Sequence, residues 1–129
     1  SAPTLSPTEA YNLAYNDYLK GNYDLAIISF QNYIDQYPHS AAIPEAIYWM
    51  GQSHYNQGAY KEAIDFFERV EANYPAHDKV PNALLKEAFS YIELGQPDRA
   101  KELLSRLIER FPQSNEAYRA RDTLSTLSQ

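Results

Sequence analysis

The chain repeats itself at a fixed interval, and this constrains its fold more than any other feature. Glycines stand at positions 21, 58 and 95, alanines at 26, 63 and 100, and prolines at 38, 75 and 112. Each series steps by 37 residues. A period in this range is the signature of stacked supersecondary units. Each landmark has a physical reason. The glycine suits the left-handed backbone that ends one helix. The alanine falls inside the next helix, where a small side chain lets a neighbouring helix approach and a large one would overpack. The proline follows an aromatic residue (Tyr37, Tyr74, Phe111) and stops that second helix. One unit is therefore helix, tight turn, helix, loop. Alone it cannot bury its apolar stripe, so the units stack.

The same signals place the elements. Ser6-Pro7-Thr8-Glu9 reads as a capped helix start, with Glu9 able to reach back as in a capping box. That helix is expected to end near Lys20, with Leu13, Ala14 and Tyr18 inward. A second runs from about Tyr23 to Tyr37 on Ala26, Ile27, Phe30, Tyr33 and Ile34. The third starts between Ala41 and Pro44 and ends near Gln57. The fourth spans about Tyr60 to Tyr74, with Ala63, Ile64, Phe67 and Val70 inward. Asp78 is the expected cap of the fifth, which ends near Leu94 and buries Val80, Leu84, Ala88 and Tyr91. The sixth runs from Pro97 to Phe111 on Ala100, Leu103, Leu104, Leu107 and Ile108. Ser114 caps a last helix, about Asn115 to Leu127, whose Leu124, with Tyr118 or Leu127, covers the third unit. Its Glu116, Arg119, Arg121 and Asp122 give the array the polar end that solenoids need. The domain reading is a loose segment at 1–5 followed by one domain over 6–129. Its repeats lie at about 7–39, 41–76 and 78–113, with a capping helix at 115–128.

Composition narrows the function classes. There is no cysteine, so disulfide and thiolate chemistry are absent. No apolar run approaches the roughly 20 residues of a membrane-spanning helix, so no membrane insertion is expected. The chain opens on Ser1 without a signal peptide, as expected of a processed product or an excised segment. Net charge is −6, carried unevenly: residues 1–78 sum to −7 and residues 79–129 to +1. Nucleic acid is disfavoured, because binding it calls for clustered positive charge. The acidic half is an ordinary solvated surface or a steering field for a basic partner. His39, His54 and His77 are dispersed and form no metal site of usable spacing, so no metal is expected. Four glycines make no phosphate loop, no triad is suggested, and no cofactor is implied. The reading is a non-enzyme.

The pattern Gly-x-Tyr-x-x-Ala, an apolar residue four later (Phe30, Phe67, Leu104) and then Tyr/Phe-Pro resembles the tetratricopeptide repeat. Ala14, Gly51 and Ala88 match the small position of its first helix. The resemblance implies an all-α, right-handed superhelix of three helix pairs plus a C-terminal capping helix. The usual repeat is shorter, about 34 residues, and the extra length falls in the loop after the proline. Pro97 stands where the other copies have tyrosine. Tyr33, Val70 and Leu107 hold a usually small position, and Trp49 sits two places later than is usual. The run Tyr48-Trp49-Met50-Gly51-Gln52-Ser53-His54-Tyr55, with the Tyr-Pro-x-Ser loop at 37–40, also resembles the C-terminal repeat domain of the Tol-Pal accessory family (YbgF/CpoB, the cell division coordinators).

That narrower resemblance implies a periplasmic interaction scaffold of a Gram-negative bacterium. It would bind TolA and connect to a peptidoglycan synthase during division. The family trimerises through an upstream coiled coil; no heptad run precedes Ser6, so a monomer or weak dimer is expected of this chain. An alternative is a repeat subunit of an outer-membrane protein assembly machine or another periplasmic lipoprotein complex. In such solenoids the first helices line the concave face. The groove read from them comprises Tyr11, Asn12, Tyr15 and Leu19, then Tyr48, Trp49, Gln52, Tyr55 and Asn56, then Asn82, Leu85, Lys86, Phe89 and Glu93. Aromatic rings dominate interface hot spots. Chaperone-tail binders of this class place Lys, Asn and Arg at positions that here hold Tyr11, Tyr15, Trp49, Asn82 and Lys86. With only Lys86 keeping its charge type, a carboxylate clamp is disfavoured.

Overall fold

The computed structural model describes residues 5–129 and is all-α. Its helices are α1 (Pro7–Leu19), α2 (Tyr23–Gln36), α3 (Ile43–Asn56), α4 (Tyr60–Asn73), α5 (Val80–Glu93), α6 (Pro97–Arg110) and α7 (Asn115–Leu127). Of the segment expected to be loose, residues 1–4 lie outside the described residues. Leu5 is tied down, its carbonyl accepting a hydrogen bond from the Tyr37 hydroxyl.

The helix ends follow from the landmarks. The Glu9 N–H donates to Ser6 Oγ at 3.1 Å and the Ser6 N–H to Glu9 Oε1 at 3.3 Å, a complete capping box. Gly21, Gly58 and Gly95 sit at φ 79, 76 and 74, and the following N–H of Asn22, Ala59 and Gln96 donates back to Asp17, His54 and Tyr91. This Schellman closure satisfies carbonyls that would otherwise be orphaned. Ser114 caps α7, accepting from the Ala117 N–H at 3.0 Å. Asp78 does not cap α5. Lys79 is already in a helical conformation there, so the carboxylate falls outside the first turn, and His77 Nδ1 accepts the Lys79 N–H at 3.0 Å instead.

Each helix packs on the next, and the first helices of successive pairs also meet: α1 on α3, α3 on α5, α5 on α7. Among the described residues the second helices α2, α4 and α6 make no comparable backbone approach. The array thus closes on its inner side, opens in wedges on its outer side, and winds as a right-handed superhelix. Two apolar clusters fill it. One holds Ala14, Ala26, Phe30, Tyr33, Ala46 and Met50; the other runs from Ile43 through α4, α5 and α6 to Ala120. Ile34, Trp49 and Phe66 pack against both.

Ala14, Ala26, Ala63, Ala88 and Ala100 have no exposed surface. At Gly51 even a methyl group does not fit. A Cβ there would stand 2.8 Å from Cε1 and 2.9 Å from Cδ1 of the buried Phe67 ring, and 3.2 Å from Phe66 Cβ. Two expected core residues are corrected. Leu13 is 53% exposed because no described helix precedes α1 to cover it; 37 residues on, Met50 occupies the same place and is buried against α2. Tyr118 is exposed too, and Leu124 and Leu127 cover the third pair alone.

The next residue in the Leu13–Met50 series is Glu87, 3% exposed. Burial pushes its carboxyl up to about 8, with Glu68 and Glu71 adding to the rise and Arg106 opposing it. The protonated group is the folded form that fits. Its folded pKa lies above that of an ordinary carboxylate, so the stability it confers is complete below the unfolded value and is lost as pH rises through about 8.

Three stability outcomes follow. Gly51→Ala gains helix propensity, yet the clash with Phe67 leaves a net loss of about 1–2 kcal/mol in denaturant unfolding. Ala63→Leu costs about 1–3 kcal/mol by overpacking; unchanged unfolding would mean that Ala63 is not at a close helix contact. The wild-type melting temperature falls between about pH 5 and about pH 8.5, and Glu87→Met flattens that slope by installing the residue the second repeat uses.

Candidate protein-binding face

The inner surface is built by α1, α3 and α5, with α7 closing its far end. Tyr11, Tyr15 and Tyr18 recur along one face of α1 at helical spacing. Tyr15 stacks on both neighbours, with ring centroids 6.3 Å from Tyr11 and 6.1 Å from Tyr18. Trp49 of α3 lies across the row, 5.0 Å from Tyr15 and 4.8 Å from Tyr18. Its indole Nε1–H donates to the Tyr11 hydroxyl at 3.0 Å, and that hydroxyl donates to Glu45 Oε2 at 3.3 Å. Burial, then the Glu45 charge, pushes the Tyr11 hydroxyl far above its ordinary value, so it stays a donor. Tyr11 also lines a notch of about 310 Å³ with Thr8, Asn12, Ser40 and Glu45.

A second group forms around α5. Lys86 Nζ stands 4.9 Å from the Tyr55 ring centroid and 5.9 Å from that of Phe89. Burial, then Arg119, lowers the Lys86 pKa. Arg119 of α7 covers Phe89 at 5.4 Å. Between the groups, Lys79 Nζ lies 5.0 Å from the Trp49 ring and 5.1 Å from Tyr48. Cations over aromatic faces are attracted by the ring quadrupole. The inner face is therefore acidic at Glu45 and basic at Lys79, Lys86 and Arg119.

Of the groove residues read from the sequence, Tyr11, Tyr15, Trp49, Tyr55, Lys86 and Phe89 reach this face half-buried. Tyr48 does not remain available: it is 5% exposed and packs 5.7 Å from Phe67, in the core. Leu85 is likewise core. Gln52 is buried, its amide donating to Asn56 Oδ1 at 2.9 Å. The reason is common to all three: α3 and α5 lie between neighbours on both sides, so only a narrow strip of each stays open. Asp17 of α1 is also buried, its carboxylate accepting a hydrogen bond from the Ser29 hydroxyl at 3.4 Å, so it is not open to a partner. Sequence reasoning missed Tyr18, placed in the core although it continues the Tyr11–Tyr15 spacing. It also missed Lys79 and Arg119, which reach the face from a helix cap and from the capping helix and leave no local signal.

Among the described residues no cluster of His, Asp or Glu is placed to hold a metal, and no helix is long and apolar enough to cross a membrane. Two models of the tetratricopeptide repeat match the chain, over residues 11–78 and 54–124. No curated protein sequence matches it significantly. Among solved structures, PcrH from Pseudomonas aeruginosa is similar at 19% identity and a TM-score of 0.82, over 98% of this chain and 96% of that one. PcrH in complex with the chaperone-binding region of PopB gives 20% identity and 0.76, over 94% and 98%. The first repeat domain of RPAP3 bound to an HSP90 peptide gives 17% and 0.77, over 95% and 90%. At such identities the likeness is one of fold. Both repeat models span more than half of a chain made of three helix pairs with small contact positions and aromatic–proline stops. The chain therefore belongs to the tetratricopeptide repeat family, whose members are generally non-catalytic scaffolds for protein–protein interaction.

Proposed function

We propose that this domain is a periplasmic interaction scaffold of the Tol-Pal system of a Gram-negative bacterium. It binds TolA and helps to coordinate outer-membrane constriction with peptidoglycan synthesis during cell division, with a peptidoglycan synthase as a further partner. The observation that carries a binding role is the row of half-buried rings formed by Tyr11, Tyr15, Tyr18 and Trp49, which core packing alone does not require. The Tol-Pal assignment rests on the sequence resemblance around Tyr48–Tyr55.

The PcrH complex with a region of PopB and the RPAP3 complex with an HSP90 peptide support a scaffold of this fold taking up a segment of a partner. The chemistry here favours a different segment from a chaperone tail. The places of the carboxylate clamp hold Tyr11, Tyr15, Trp49, Asn82 and Lys86, of which Lys86 alone is basic. A helix rich in alanine and lysine suits the first two repeats. Its small residues approach the rings, and its ammonium groups meet Glu45 and the net −7 of residues 1–78.

Surface plasmon resonance against the isolated helical segment of TolA is the test. Tyr15→Ala, which removes a ring from the middle of the row, lowers affinity about tenfold or more at a modest cost in melting temperature, since Tyr15 packs against one core cluster. Trp49→Ala also weakens binding, but with a larger stability cost, since Trp49 packs against both core clusters. Raising salt from about 50 to about 200 mM slows association several-fold and changes dissociation less. Absence of TolA binding overturns the Tol-Pal assignment; binding that Tyr15→Ala leaves intact moves the site elsewhere.

A further inference from the structure

The wedge that opens between α4 and α6 has a carboxylate at its floor that the fold does not require. Two clefts of about 410 and 430 Å³ enter it from the outer side, and Glu87 and Arg106 line both. Glu87 Oε1 is buried and has no hydrogen-bond partner. The neighbouring guanidinium groups are otherwise committed. Glu71 of α4 is held by Arg106 at 3.0 Å and by Arg110 at 3.1 Å. Arg99 of α6 donates to the Tyr91 hydroxyl at 3.4 Å, and that hydroxyl donates to Glu68 Oε1 at 3.4 Å. Glu102 stands at the mouth. Four carboxylates thus face three guanidinium groups, and among the described residues Glu68, Glu87 and Glu102 have no cation of their own.

One repeat earlier the same register position holds Met50, 2% exposed and part of an apolar cluster. The fold therefore accepts an apolar side chain of similar length here. An unpartnered buried carboxylate costs free energy, and a local rule broken without structural need points to use.

We propose that this outer cleft is a subsite for a lysine side chain of a partner protein, whose ammonium group is received by the Glu87 carboxyl with Glu68 on the adjoining wall. Among the described residues neither Glu87 oxygen has a hydrogen-bond partner, and a compact ammonium group on a slender stem reaches so deeply set a carboxyl more readily than the broad, planar guanidinium. Ala72, Pro75 and Leu103 line the approach and accept the apolar stem. The proton balance is explicit. At neutral pH Glu87 holds a proton; the incoming ammonium displaces it to solvent, and an ion pair replaces an orphaned carboxyl. Binding therefore releases one proton and tightens as pH rises through the range in which Glu87 ionises. The site lies on the opposite side from the aromatic face and does not depend on the Tol-Pal assignment.

The test is a pH titration of the glutamate carboxyls of the intact domain by carbon-13 NMR. The added probe is a blocked helical alanine–lysine peptide, its glutamine-for-lysine counterpart, or butylammonium. With the lysine peptide Glu87 gives up its proton about tenfold more readily, and the peptide binds about fivefold or more tightly at pH near 8.5 than near 6.5. The glutamine peptide does neither, and Glu87→Met, kept folded by the side chain that the second repeat already uses, removes the pH dependence. A Glu87 titration unmoved by the lysine peptide overturns the proposal. So does an equal effect of butylammonium, which would assign the cleft to free amines. Peptide perturbations confined to Tyr15 and Trp49 overturn it as well while leaving the aromatic face as a binding site.

Discussion

The close approach of α3 and α4 at Gly51 and Phe67 is the contact on which the array depends. A ring edge lies where a Cβ would be, so the helix pair is nearer than any other side chain allows. The equivalent positions Ala14 and Ala88, and the alanines of the second helices, are fully buried as well. Because these contacts recur at one interval, each pair sits on the last with the same offset, and a superhelix results without any long-range sheet or disulfide. Every pair buries its stripe against its neighbours, as a solenoid must.

That geometry separates the two sides of the molecule. On the inner side the first helices meet, and their outward strips become a continuous floor. Tyrosine suits such a floor, because it buries a ring while keeping a polar tip. The path from Trp49 Nε1 through the Tyr11 hydroxyl to Glu45 fixes two of the rings before any partner arrives. Lys79 lies over Trp49 as well, and Lys86 and Arg119 hold Tyr55 and Phe89 by cation–π contact. A preorganised face loses little side-chain entropy on binding.

On the outer side the second helices diverge, and long side chains must bridge what backbones do not. Arg106 and Arg110 reach across from α6 to Glu71 of α4. Such partly exposed pairs contribute modestly to stability. The wedge they span remains polar and open, in contrast to the preceding one, where Met50 packs in apolar surroundings. A single register position, occupied in turn by Leu13, Met50 and Glu87, thus lies at an uncovered end, in a core and in a polar cleft.

The 37-residue interval alone determined the class of fold, the number of helix pairs, the turn glycines and the small contact positions. It could do so because these are local requirements: a left-handed residue, a missing side chain, an absent N–H. The capping box at Ser6 and the cap at Ser114 were legible for the same reason. What only the tertiary structure decided is which side of each helix is left open. Tyr48, Gln52 and Leu85 read as inner-face residues but lie buried, because α3 and α5 have neighbours on both flanks. Leu13 reads as core but is exposed, because α1 is covered on one flank only. Lys79 and Arg119 join the inner face through space, from segments with no periodic tie to it. Periodicity specifies the direction of a side chain relative to its own helix; whether another helix stands in that direction is a property of the stack.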